Sequence, residues 1–208
     1  MTGKTTINDF VTTLSSKAPV PGGGGASAVS GALAAALGSM VANLTIGKKK
    51  YADVEEQMQT LLGQAEALRE EFLSLSDADE EVFTPLAAAY GLPSGTDEEK
   101  AEKARVLEKN LLAASLVPMK IMEKSVEVMD ILEVMAKKGS RLAVSDAGVG
   151  IQFARTALLG AVMNVYINTK SMKNREKAEE LNARADALVA EGTRRADEIY
   201  GIVTEAIR

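Results

Sequence analysis

Cysteine, histidine and tryptophan are all absent from the 208 residues. Without Cys there is no disulfide framework, no thiol nucleophile and no thiolate metal site. Without His there is no His-based triad, no imidazole general base and no His-ligated zinc. No metal site is expected, and acid–base chemistry falls to Asp, Glu, Lys or Tyr. A carboxylate with a raised pKa is the leading choice for a reaction near neutral pH. Aromatic residues make up only 4% of the chain, so packing rests on Ala, Leu, Val and Met, which suits closely spaced helices better than sheets. A basic excess is lacking too: the net charge of −5 argues against a general nucleic-acid binder. The balance is that of a soluble protein, compatible with the cytoplasm, and the length suits one domain over residues 1–208.

Charge is also missing locally. The segment from Pro19 to Tyr51 opens with Pro-Val-Pro-Gly-Gly-Gly-Gly, continues through small uncharged residues and ends in Gly-Lys-Lys-Lys-Tyr. Glycines there allow close backbone approach and positive φ. Residues 26–46 have the length of a membrane span, but Ser27, Ser30, Ser39, Asn43 and Thr45 interrupt them and Ala contributes little to insertion. The lysines mainly follow the apolar run, unlike the order of a signal peptide. The central helix of a bundle is therefore expected here and no membrane partner. Gly31, Ala35, Gly38 and Ala42 give it a small-residue face, and Gly47 a natural cap.

Helical periodicity accounts for the rest. Ile7, Phe10, Val11 and Leu14 mark a short amphipathic helix, ended by Pro19 and Pro21. A long pattern runs from about Asp53 to Tyr90, with Pro85 predicting a kink or break near Thr84. A capping box at Thr96–Glu99 launches another towards Lys138, with a kink expected at Pro118. Ser145-Asp146 reads as the N-cap of a helix carrying Asn164 and Asn168, and a last helix covers about Lys173 to Ile207. The expected fold is all-α: an elongated helical bundle with two long proline-kinked helices and no sheet.

Four constellations could carry chemistry. Gly22, Gly23, Gly24 and Gly25 before a helix could present N–H groups to an anion, or could be a close-packing turn; no P-loop follows. Lys48, Lys49 and Lys50 could meet a polyanionic tail, or be a solvated helix end. Asp77, Asp79, Glu80 and Glu81 form an acidic cluster; Asp79, one turn from Leu75 and Phe83, could face inward, the alternative being an outward acidic face. Asn164 and Asn168, one turn apart on an apolar helix, could read a heteroaromatic ring or bond between helices in the core. Met119, Met122, Met129 and Met135 read as core filler.

Pro21–Ala26, the string Met-Val-Ala-Asn-Leu-Thr-Ile-Gly-Lys-Lys-Lys-Tyr at 40–51, Asp79-x-x-x-Phe83, Gly91-Leu92-Pro93, Ser145–Val149 and Asn164-Val-Tyr-Ile-Asn168 occur in one order along the chain. Together they resemble the cyclodeaminase/cyclohydrolase family of folate enzymes. The resemblance implies an all-α homodimer with a folate, or its polyglutamylated form, bound between helices near the subunit interface and no separate cofactor. Carried over by motif, Asp79 would be the catalytic acid/base and Lys49 its electrostatic partner. Gly22 to Gly25, Lys48, Tyr51, Ser145, Asp146, Asn164 and Asn168 would shape the folate site. Two departures stand out: Val82 where relatives often have Ala, and Ser140 where they commonly have Asn.

The activity most strongly implied is hydrolysis of 5,10-methenyltetrahydrofolate to 10-formyltetrahydrofolate. Its amidinium carbon is electrophilic without a metal, so a carboxylate base suffices. The alternatives are cyclodeamination of 5-formiminotetrahydrofolate and, in a different class, a non-catalytic folate-binding protein of the same fold.

Overall fold

The computed structural model describes residues 4–208, which fold into six α-helices: α1 (Ile7–Leu14), α2 (Gly23–Asn43), α3 (Glu55–Tyr90), α4 (Asp97–Lys138), α5 (Val144–Ser171) and α6 (Arg175–Ile207). No strand occurs among the described residues, in agreement with the all-α expectation. Short 3-10 segments at Lys49–Val54 and Arg141–Ala143 lead into α3 and α5.

Helix α2 packs against α3, α4 and α5, and its missing side chains explain how. A Cβ on Gly31 would overlap the ring of Phe72 in α3, while Gly38 lies against Ile131 and Leu132 of α4. From α5, Gly150 and Gly160 approach Leu37 and Ser27 of α2. The small-residue face thus lets three helices crowd one backbone. Among the described residues α2 is the one helix long and apolar enough to cross a membrane, and most of it is buried inside the bundle.

The pairings fix the directions. Gly31 meets Phe72 and Gly25 meets Ser76, so α3 runs antiparallel to α2. Ser27 meets Gly160 and Thr45 bonds the backbone of Ser140, so α5 does likewise. Glu71–Lys124 and Gln57–Lys138 contacts set α4 antiparallel to α3, and Arg155–Asp197 with Tyr166–Asp186 sets α6 antiparallel to α5. Phe72, Met122, Met129, Leu132, Met135, Ile151 and Leu158 fill the core, the methionines as expected.

Two boundaries differ from expectation. Gly23 to Gly25 form the first turn of α2 instead of preceding it, with Gly22 as N-cap, and none of the four has a positive φ. That conformation belongs to Gly47, at φ 76°. Ser145 and Asp146 lie inside the first turn of α5, whose N-cap is Ala143, because the 3-10 turn begins the spiral earlier. The helix pattern of α3 runs through Pro85 to Tyr90, so the chain does not break at Thr84, and α4 likewise continues through Pro118. Proline at 118 removes the N–H that would bond the carbonyl of Ala114. The amide Nδ2 of Asn168 in α5 donates to that carbonyl at 2.8 Å, so the helix keeps its satisfied backbone.

A candidate active site at the N-terminus of the central helix

At the N-terminal end of α2 a cavity of about 180 Å³ is lined by Gly22, Gly23 and Gly24, by Asp79 and Phe83 of α3, by Asn164 and Asn168 of α5, and by Ala114 of α4. Pro19, Val20, Val82 and Ile167 complete the wall. Helical spacing explains the convergence. Asp79 and Phe83 are one turn apart on α3, Asn164 and Asn168 one turn apart on α5, and both helices run antiparallel to α2.

Asp79 is the one ionisable side chain in this wall. It faces inward, which resolves the orientation of the acidic cluster. Glu81 is exposed, and Glu80 is half-buried. Desolvation raises the carboxyl of Asp79 to about 6, the backbone N–H of Gly25 opposes the rise by donating to it, and the negative charge of Glu80 adds to it. The anion at the α2 N-terminus is therefore the carboxylate of Asp79 itself. The first-turn N–H groups and the positive end of the helix dipole hold an ionisable acid between its two states. Gly24 permits this approach, since a Cβ there would overlap the carboxyl group.

The two asparagines are already engaged through their amide nitrogens. Asn164 donates to the carbonyl of Gly160 at 3.1 Å, and Asn168 to Ala114. Asn168 makes the expected bond between helices, whereas Asn164 bonds within α5; both line the cavity, where each carboxamide keeps an oxygen as acceptor. Ser76 is a contributor that carries no mark in the sequence beyond lying three residues before Asp79. Its buried hydroxyl bonds the carbonyl of Gly25 at 3.4 Å and pins the α2 turn against α3.

The remaining expected site residues stand elsewhere. Lys48, Lys49 and Tyr51 follow the C-terminus of α2, and Ser145 and Asp146 open α5 beside that same end. With 21 residues in α2, the two groups are about 30 Å apart along the helix. Lys49 is thus not beside Asp79 within one chain, and the charges shifting Asp79 do not include it. At the lysine end, Lys48 Nζ donates to the hydroxyl of Ser140 at 3.1 Å, and the backbone N–H of Arg141 donates to the Tyr51 hydroxyl at 3.0 Å. That backbone bond, with the charges of Lys50 and Lys48, lowers the Tyr51 pKa. Ser140, buried beneath Lys48, fills the place where asparagine was expected to be common. Lys49 is exposed and makes no hydrogen bond or ion pair among the described residues.

Comparison with known proteins agrees with this architecture. The family model described as formiminotransferase-cyclodeaminase matches residues 6–187. A methenyltetrahydrofolate cyclohydrolase of Methylorubrum extorquens is 43% identical over 207 residues, covering the whole of both chains. The formimidoyltransferase-cyclodeaminase of Mus musculus is 32% identical over 95% of this chain, which spans only 36% of that longer protein. Among solved structures, formiminotetrahydrofolate cyclodeaminase of Thermotoga maritima superposes with a TM-score of 0.82 at 26% identity, covering 100% of this chain and 98% of that one. The match of fold, full length and sequence shows that this chain belongs to the formiminotransferase-cyclodeaminase family of folate one-carbon enzymes.

Proposed function

We propose that this chain is a cytoplasmic methenyltetrahydrofolate cyclohydrolase. The observation that carries the chemistry is Asp79: one carboxylate in the cavity, with its pKa raised to about 6. The relative aligned over its whole length with this chain is a methenyltetrahydrofolate cyclohydrolase, which favours that reaction over others on the same fold.

In this reading the delocalised cation of the substrate sits against the Asp79 carboxylate, which attracts it. Asp79 takes a proton from a water molecule as its oxygen bonds to the bridging carbon. The resulting tetrahedral intermediate is neutral. Asp79, now protonated, returns its proton to the ring nitrogen N5 as the carbon–N5 bond breaks. The intermediate's hydroxyl loses its own proton to solvent and becomes the formyl carbonyl on N10. A carboxyl poised near 6 serves both transfers, since it is ionised at neutral pH yet readily protonated. Asn164 and Asn168, through their free oxygens, would accept from the N–H groups of the pterin ring.

A second reading is supported by the Thermotoga maritima structure and the mouse relative, whose names carry cyclodeamination. There N10 attacks the formimino carbon, Asp79 takes the proton that N10 loses and returns it to the amino nitrogen, and the bond from carbon to that nitrogen breaks to release ammonia. Assay of the purified protein with each substrate separates them. Formation of 10-formyl product without ammonia supports the hydrolase; ammonia release from the formimino compound supports the deaminase. A thermal shift with tetrahydrofolate and no turnover of either substrate would leave only a binding protein.

A further inference from the structure

Beyond the Asp79 cavity, α3 and α5 run on past the start of α2, and α4, packed against both, floors a trough between them. Along α4, Lys100, Ala104, Leu107, Leu111 and Ala114 recur every three or four residues and so share one face. Ala114 lines the Asp79 cavity; the other four line a second hollow of about 270 Å³. Its walls continue those of the first. Tyr90 lies about two turns beyond Phe83 on α3, and Ser171 about one turn beyond Asn168 on α5. Taken singly, each hollow is smaller than a usual small-molecule site of about 300–1,000 Å³. Joined end to end, they fall within that range.

The two hollows differ in charge. Asp79 is the one ionisable group in the first, whereas the second holds Lys100, Lys103 and Lys173. Lys103 is fixed across the α3–α4 turn: its Nζ donates to the carbonyls of Tyr90 at 2.7 Å and Leu92 at 2.9 Å, which leaves one N–H of the ammonium to spare. The ammonium of Lys173 makes no hydrogen bond or ion pair among the described residues. Lys100 pairs with Asp97 in solvent. The carboxylate that lines this hollow, Glu108, is already engaged, accepting from the backbone N–H groups of Lys173 at 2.7 Å and Asn174 at 2.9 Å. Between the lysines and Asp79 the floor is apolar, built from Ala104, Leu107 and Leu111.

From Ala114, Leu107 lies about 10 Å along α4 and Lys103 about 16 Å. A tetrahydrofolate held by its pterin at Asp79 carries its parts in the same order. A p-aminobenzoyl ring comes next, then glutamyl carboxylates about 10 Å from the bridging carbon, and a lysine side chain covers the remaining ~6 Å. We propose that the two hollows are one elongated site, in which Leu107 and Leu111 carry the p-aminobenzoyl ring and Lys103 and Lys173 bind the glutamyl carboxylates. A second, γ-linked glutamate would reach Lys100, about one turn further along α4. The inference rests on the folate reading above and deepens it by assigning the tail. That tail belongs to a different lysine group from Lys48, Lys49 and Lys50, which stand at the far end of α2.

Titration calorimetry of the full chain tests it with tetrahydrofolate, its triglutamate and tetrahydropteroate, which has the ring but no glutamate. The unaltered chain is expected to bind tetrahydropteroate about tenfold more weakly than tetrahydrofolate, and the triglutamate more tightly than either. Lys173→Glu should weaken tetrahydrofolate about fivefold and leave tetrahydropteroate within about twofold. Lys103→Met should do the same, its unchanged tetrahydropteroate affinity showing that the α3–α4 turn keeps its shape. Equal affinities for the three ligands in the unaltered chain overturn the inference. So does a Lys173→Glu chain that loses nothing, or one that loses tetrahydropteroate equally. The expected pattern in a protein that turns over neither folate substrate leaves this site standing and ends the catalytic reading. Turnover with affinities indifferent to glutamate ends the tail site and leaves the catalytic reading intact, while no binding of any of the three overturns both.

Discussion

A Cβ on Gly24 would stand 2.5 Å from Cγ of Asp79 and closer still to Oδ1. The one glycine whose hydrogen faces the carboxyl thus fixes where that carboxyl sits. Gly24→Ala should push Asp79 out of the cavity. The obstructing atoms end a short rotatable side chain, so the swing costs little stability. Turnover is expected to fall at least ~100-fold, the scale of a lost acid–base group, with the urea midpoint nearly unchanged. Wild-type turnover in the variant would show that the position of Asp79 does not matter.

Asp79 sets a pH dependence in two observables. As a base it must be ionised, so turnover above the uncatalysed rate should rise with pH through about 6 and then level. Asp79→Asn should cut turnover by about 10²–10⁴-fold while weakening substrate binding much less.

Stability should move in the opposite sense. In the unfolded chain the carboxyl titrates near 4; folded, it titrates near 6. Between those values the folded chain holds a proton the unfolded chain has lost, so this group's contribution to stability falls as pH rises, then stays constant above about 6. Removing the ionised group should therefore stabilise the protein at pH 7.5 by on the order of 1–2 kcal/mol, and not at all near pH 3.5. Urea unfolding of Asp79→Asn at both pH values checks it; equal midpoints at pH 7.5 would contradict the burial argument.

Asn168 has a structural duty beside its place in the cavity. Asn168→Ala leaves the buried carbonyl of Ala114 without the donor that Pro118 cannot supply. A loss of about 1–3 kcal/mol in chemical denaturation is expected. A double variant that also restores the donor, with Pro118→Ala, should recover part of that loss; no recovery would mean that the carbonyl is not the cause.

Gly31→Ala should weaken the core. The added methyl would lie 2.5 Å from Cδ1 of the fully buried Phe72 ring, which has nowhere to turn. Overpacking costs about 1–3 kcal/mol and outweighs the ~1 kcal/mol that Ala gains over Gly inside a helix. Thermal unfolding decides the sign, and a raised melting temperature would contradict the packing account.

Much of this was legible in the residues themselves. Absent Cys and His left a carboxylate as the acid–base candidate, and the apolar spacing of Leu75, Asp79 and Phe83 allowed Asp79 to face inward. Periodicity and caps located the helices because both are local: a 3.6-residue repeat and the Thr96–Glu99 box need no knowledge of the rest of the chain. The small-residue face of α2 was visible for the same reason.

Tertiary structure alone decided what those pieces do to one another. The glycines could have cradled a ligand anion; the antiparallel packing of α3 delivers the carboxyl of Asp79 to them instead, and burial there raises its pKa. Asn168 could not be tied to Pro118 from sequence, because 50 residues separate a missing N–H from the amide that replaces it. Most of all, the glycines and lysines that look like one site in the segment from Pro19 to Tyr51 are held apart by a rigid helix about 30 Å long. Sequence determines which groups are available, through composition and local spacing; distance between them is set by helix length and packing direction, which only the assembled fold provides.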